Sequence, residues 1–174
     1  MRKVFIALFL FIALLQPVMA ADYFDVSLSF GQASYKWPEK GISFTYGFNV
    51  GLTSRLEMNL WGISELVPMP FQSNMFGLDL TFALLGDRST ASKVAGSGLN
   101  TLVSIGGFYR LDNNGAGPII SITPLSVGSP VSGRRERILK TGIGYDAVNK
   151  EVVVTFSLIS IDYYLRGTWR DYSF

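Results

Sequence analysis

The 174-residue sequence contains no cysteine and no histidine. The absence of cysteine excludes disulfide bonds, and it also excludes a bacterial lipoprotein, whose lipid is attached to a cysteine. Without histidine and cysteine, a Ser-His nucleophile pair cannot form, and a transition-metal site lacks its usual ligands. The sequence therefore predicts a protein that is not an enzyme and that carries no metal or other cofactor.

Charged residues are scarce and balanced. They make up 16% of the chain, with 15 basic and 13 acidic side chains. Two of the basic residues, Arg2 and Lys3, belong to a predicted leader, so 15 minus 2 leaves 13 basic against 13 acidic residues. A mature chain without net charge has no basic excess for binding nucleic acid, and no nucleic-acid partner is predicted.

No stretch is long and apolar enough to be a membrane-spanning helix. The unbroken apolar run Val4–Leu15 has 12 residues, whereas a helical span needs about 20. The run follows two basic residues and leads to a small-residue cleavage site that ends at Ala20. We therefore expect a cleaved signal peptide at residues 1–20 and one mature domain at residues 21–174; an uncleaved N-terminal anchor is the alternative.

The mature sequence is instead built from short segments in which every second residue is apolar. The clearest segment is Ile42–Leu52, where large apolar residues alternate with serine, threonine, glycine and asparagine. A period of two residues is typical of a β-strand whose two faces meet different surroundings. In a β-barrel of the bacterial outer membrane, one face of each strand meets lipid and the other meets the lumen.

Eight such segments predict an all-β fold, an eight-stranded antiparallel up-and-down transmembrane barrel. Pro124 weakens the sixth segment because proline donates no ladder hydrogen bond. The apolar phase of the last segment shifts, which predicts a bulge near Leu158. An even number of strands places both chain ends on one side of the barrel. The predicted strands are Tyr23–Tyr35, Ile42–Leu52, Leu56–Leu66, Asn74–Leu85, Leu99–Leu111, Gly117–Val127, Arg137–Asp146 and Glu151–Leu165.

The same alternation directs several charged side chains into the lumen. An eight-stranded barrel is barely wide enough for its own side chains, so opposite charges inside it should pair. A plug of salt bridges is the expected result, and a gated path lined by the same residues is the alternative. Arg110 is expected to pair with Glu57 or Asp79. The predicted lumen charge network consists of Asp25, Glu57, Asp79, Arg110 and Lys140, with Asp162 as a further candidate.

Two other groups of side chains lie near predicted strand ends. The basic cluster Arg134, Arg135 and Arg137 follows a predicted loop, and we expect a solvated turn or a contact with anionic lipid headgroups. The aromatic residues predict an interfacial girdle, with a ligand-stacking site as the alternative. These aromatic residues are Tyr23, Trp37, Trp61, Tyr109, Tyr145, Tyr163, Tyr164, Trp169 and Tyr172.

The chain ends in Tyr172-Ser173-Phe174. With this terminus and its strand pattern, it resembles small outer-membrane barrels of the OmpA transmembrane-domain and OmpW-like class. The resemblance implies that Tyr172 and Phe174 form the signal read by the barrel-assembly machinery. It also implies an outer-membrane location, lipid as the surroundings and a monomer. Enzymes built on such barrels rely on a histidine, which this chain lacks.

The predicted function is a structural role in the outer membrane or the passive passage of small, possibly apolar solutes. The alternative is a soluble periplasmic lipocalin-like barrel that binds a small apolar ligand, with its apolar residues pointing inward. Few lysine or glutamate residues lie on the polar faces, whereas a soluble surface normally carries abundant charge, so the membrane barrel is favoured. A surface adhesin would need long loops, and most predicted loops are short.

Overall fold

The computed structural model describes residues 25–33, 42–53, 55–67, 74–85, 99–129 and 133–167. These residues form eight β-strands, as the alternation predicts. The seventh strand begins at Arg134 rather than at the predicted Arg137. The strands are β1 Asp25–Ala33, β2 Ile42–Gly51, β3 Leu56–Val67, β4 Asn74–Ala83, β5 Leu99–Arg110, β6 Ala116–Ser129, β7 Arg134–Asp146 and β8 Glu151–Gly167.

The strands close into a barrel in which each strand is antiparallel to the next and β8 pairs with β1. Asp25 pairs with Gly167, so β1 begins and β8 ends at the same side, which we call the lower end. The connection between β2 and β3 also lies at the lower end. The turns at residues 111–115 and 147–150 lie at the opposite, upper end. No helix long and apolar enough to cross a membrane occurs among the described residues.

The outer face of the barrel is apolar. Phe48, Leu80 and Phe82 are exposed, Phe44 is half-buried, and Thr81 between two of them is fully buried inside. This arrangement is the reverse of the one required by the soluble lipocalin-like alternative, in which apolar residues would point inward.

The alternation of β8 changes phase where the sequence predicts a bulge. Ser157 and Ser160 are both buried, whereas Leu158 and Ile159 between them are both exposed. The neighbouring β7 pairs with this region without a register shift, because Ile138 lies opposite Ile159 and Lys140 lies opposite Ser157. The phase change is therefore shared between strands and is not confined to β8.

Two further strands change phase at the same level. In β6, Pro124 and Leu125 are both exposed between buried neighbours. In β7, Leu139 is exposed and has a positive φ of 61°, which is rare for a residue with a branched side chain. The phase change gives β6 one residue more than β5 at this level, and the pairing of β5 with β6 shifts its register there. Pro124 suits this position because proline has no N–H group to donate to the ladder.

Candidate functional site in the barrel lumen

Four charged side chains meet in the lower part of the lumen. We call Glu57, Asp162, Arg135 and Arg137 the ion cluster. The Nη2 atoms of Arg135 and Arg137 each lie 2.7 Å from a different carboxylate oxygen of Glu57. The Nε atoms of both arginines donate to Oδ2 of Asp162 at 2.8 Å. Two negative and two positive charges therefore neutralise each other within the barrel.

The ion cluster is almost completely buried. The side chains of Arg135 and Arg137 are 2% and 4% exposed, and those of Glu57 and Asp162 are 1% and 0% exposed. Charges removed from water are tolerated only when they are paired and hydrogen-bonded. Ser29 supplies a further bond, since its hydroxyl donates to the second oxygen of Asp162.

The shared phase change brings three members of the cluster inside. In the upper half of β7 the buried positions are Gly142, Gly144 and Asp146, whereas in the lower half they are Arg135 and Arg137. If β7 and β8 kept the phase of their upper halves, Arg135, Arg137 and Asp162 would face outward. The strained Leu139 and the break at Pro124 thus serve to place the ion cluster in the lumen.

The expectation of a solvated basic turn is wrong for two of its three arginines. β7 begins at Arg134, so these residues alternate between the two faces of a strand. Arg134 and Glu136 point outward, whereas Arg135 and Arg137 point into the lumen. Arg134 remains exposed and pairs with Glu136 at 3.3 Å. The spacing of two residues between Arg135 and Arg137 places both on the same face of a strand, but the spacing does not give the direction of that face.

A second polar group lies beside the ion cluster. Asn59 donates to Oδ1 of Asp79 and to the hydroxyl of Thr81, both at 2.6 Å. The Nζ atom of Lys140 lies 3.5 Å from the other oxygen of Asp79 and 5.8 Å from the centre of the Trp61 ring. The structure therefore places Asp79 and Lys140 in the lumen and pairs them. Asp25 is also buried, at the lower end of β1.

Arg110 does not join this network, contrary to the expected pairing with Glu57 or Asp79. It ends β5 at the upper end of the barrel, whereas Glu57 lies at the lower end of β3. Its guanidinium pairs with Asp112 at 3.0 Å and with Glu151, and lies 3.8 Å from Asp146. Arg110 therefore ties the two upper turns together.

Apolar side chains fill the lumen between Arg110 and the polar groups. They come from β3, β4, β5, β6 and β8, and Trp61 packs against them. We call this group the apolar plug. Its members are Ile63, Met75, Phe108, Ile119 and Val153, each at most 5% exposed.

Glycines on β4 and β7 make room for the rings of Trp61 on β3 and Phe108 on β5. A side chain at Gly77 would overlap the indole ring of Trp61, and one at Gly144 would meet the ring of Phe108 at 2.8 Å. The predicted girdle role is therefore wrong for Trp61, which lies inside the barrel. It is also wrong for Tyr164, which faces the lumen with Arg135 at 5.9 Å from its ring centre.

The remaining girdle residues divide into two sets. Tyr109, Tyr145 and Tyr163 are exposed on the outer face near strand ends, as a girdle requires. The others, Tyr23, Trp37, Trp169 and Tyr172, lie outside the described residues, and so do Phe174 and the predicted signal peptide at residues 1–20.

A cavity of about 50 Å³ lies between the ion cluster and the apolar plug. We call it the central chamber. Its wall is polar on the side of the ion cluster and apolar on the side of the plug. The lining includes Ser29, Asn59, Asp79, Arg137, Lys140 and Ser160, together with Trp61, Ile63, Ile119 and Ser121.

The described part of the chain holds no group of three or more acidic, histidine or cysteine side chains placed to bind a metal ion.

The contents of the lumen form four layers. From the lower end these are the ion cluster, the central chamber, the apolar plug and the Arg110 rim.

Comparison with solved structures shows a likeness in fold. The fold is similar to the crystal structure of the N-terminal β-barrel domain of Pseudomonas aeruginosa OprF, with a TM-score of 0.50 and 14% sequence identity. The match covers 81% of this chain and 97% of the OprF domain. No protein-family model and no curated protein matches the sequence. The likeness establishes the fold, a closed eight-stranded antiparallel barrel of the small kind found in that OprF domain.

Proposed function

We propose that this protein spans the bacterial outer membrane as a monomeric barrel with a mainly structural role. The observation that carries the proposal is an exposed apolar face that runs around the whole barrel. Soluble monomers rarely expose a continuous apolar surface of this extent. Every strand contributes at least one large exposed apolar residue, such as Phe30, Phe48, Leu60, Leu80, Ile105, Ile120, Ile143 and Val154.

The height of the apolar face fits a bilayer. On β7 it lies between the exposed ion pair of Arg134 with Glu136 and the exposed Tyr145. The nine residue-to-residue steps from Glu136 to Tyr145 span about 30 Å along the strand, or about 23 Å along the barrel axis for strands tilted by roughly 40°. Outer-membrane barrels have an apolar band about 25 Å tall.

The filled lumen favours a structural role over an open pore. The ion cluster and the apolar plug both occupy the interior of the barrel, so passive passage of solutes requires both to move. The central chamber is the observation that supports passage as a second function. In this proposal residues 1–20 direct export, and Tyr172 and Phe174 engage the assembly machinery.

Cell fractionation tests the proposal. We expect the mature chain in detergent-extracted outer membrane, with a gel mobility that changes on heating because the closed barrel resists unfolding by detergent. Recovery from the soluble periplasmic fraction, with a single gel mobility, would contradict the proposal.

A further inference from the structure

We propose that the lumen is closed by two barriers in series and that the upper barrier is a hydrophobic gate. In this arrangement the apolar plug blocks water and ions that enter the lumen from its upper end. The central chamber below it holds water. The inference rests on the proposed function only in treating the lumen as a route for passage. It deepens that function by naming water and small inorganic ions as the species that could pass.

The plug has the geometry of a gate that works by excluding water. Its side chains come from five strands and meet at one level of the lumen. The ring of Trp61 fills the space left by Gly77 on the adjacent strand β4, and the ring of Phe108 fills the space left by Gly144 on β7. Hydrophobic constrictions of this kind block ions because water leaves them.

The chamber differs from the plug because polar and charged side chains form part of its wall. Among the described side chains, Asn59 Oδ1 and Trp61 Nε1 are buried without a hydrogen-bond partner, and both residues line the chamber. Buried polar atoms of this kind are normally satisfied by ordered water. The cavity volume of about 50 Å³ has room for about three water molecules.

The chamber wall also defines which solutes it suits. Lys140, Arg137 and Asp79 present charges of both signs to the cavity, which suits water and small inorganic ions. Its small volume opposes solutes larger than these. Charged side chains line the chamber, whereas the plug has none. The main barrier to ions is therefore the plug.

A cysteine reporter tests the gate, because the chain has no cysteine of its own. Ser121→Cys places a thiol in the chamber wall, at the inward position of β6 that follows Ile119. The measurement is the labelling rate of this thiol by a small cationic methanethiosulfonate, with the folded barrel in detergent micelles. Folding of each variant is checked by its heat-modifiable mobility.

With the plug intact, we expect slow labelling. Phe108→Ala should raise the rate at least about tenfold, since it opens the plug to water. Val153→Thr should also raise the rate, and it keeps the side-chain volume if Phe108→Ala fails to fold. Phe48→Ala is the matched control, because it removes the same ring from the outer face and should leave the rate unchanged.

Two results would overturn the inference. One is rapid labelling with the plug intact, which would mean that the lumen is open. The other is an unchanged slow rate in the folded plug variants, which would mean that the plug is not the barrier. Neither result depends on where the protein resides in the cell. The inference can therefore fail while the fractionation result supports the proposed function, and the proposed function can fail while the labelling result supports the inference.

Discussion

Glu57→Gln is expected to destabilise the folded barrel by about 3 to 5 kcal/mol, the usual cost of removing one partner from a buried ion pair. Glu57 accepts bonds from Arg135 and Arg137, and all three side chains are buried. The amide that replaces the carboxylate leaves one positive charge uncompensated in the lumen. Arginine cannot relieve this imbalance by losing its proton.

Glu136→Gln is the matched control. It makes the same chemical change on β7, but Glu136 faces outward and its side chain is 30% exposed beside Arg134. Exposed ion pairs contribute about 0 to 1 kcal/mol, so a small loss is expected. The measurement is the free energy of unfolding in urea for barrels folded in phospholipid vesicles.

A double variant separates charge imbalance from lost contacts. Glu57→Gln combined with Arg137→Gln restores neutrality in the cluster, so it should be less destabilising than the sum of the two single variants. Strict additivity, or equal small losses for Glu57→Gln and Glu136→Gln, would show that the cluster is not energetically coupled.

The second large effect is expected on the outer face. Leu80→Arg should cost about 2 to 4 kcal/mol of folding free energy in phospholipid vesicles, because the proposed membrane barrel holds this position near the middle of the bilayer. Leu80 is exposed in β4 between Met58 and Ile105 of the neighbouring strands. A soluble barrel would tolerate the same change at an exposed position with little loss.

Leu84→Arg provides the comparison at the edge of the membrane. Leu84 is also exposed and follows β4 at the lower end of the barrel. The cost of an outward arginine falls to about 0 to 1 kcal/mol near the interface, so the two variants should differ by several-fold in cost. Equal costs at both positions would contradict a lipid-facing surface.

Strand alternation made most of the fold predictable. A period of two is a local signal, readable within each segment, and it gave all eight strands and the outward direction of Leu80 and Phe82. It also directed Glu57, Asp79 and Lys140 to the lumen. The described structure agrees with these directions because closure of the barrel imposes the same two faces on every strand.

The ion cluster was harder to foresee because it depends on three strands at once. The phase shift of β8 is visible in the sequence, but the matching shifts at Pro124 in β6 and Leu139 in β7 appear only in the closed sheet. Without those shifts, nothing marks Arg135 and Arg137 as inward. Their partner Asp162 could be suggested, but the pairing could not.

The partner of Arg110 and the location of Trp61 depend on height within the barrel. Alternation gives the face of a strand on which a residue lies, whereas the tilt and stagger of the strands set its level. Arg110 is inward but at the upper rim, beside Glu151 and Asp112. For Trp61, the usable signal was Gly77 on the adjacent strand, which leaves space for a ring inside.

Depth-dependent fluorescence quenching tests the central claim, that the apolar outer face meets lipid. A fluorophore is attached through Leu80→Cys or Leu84→Cys to barrels folded in vesicles of brominated phospholipid. Position 80 should be quenched most by bromines deep in the acyl chains, and position 84 by bromines near the headgroups. Quenching of both positions by aqueous iodide, with none by lipid bromines, would contradict the claim.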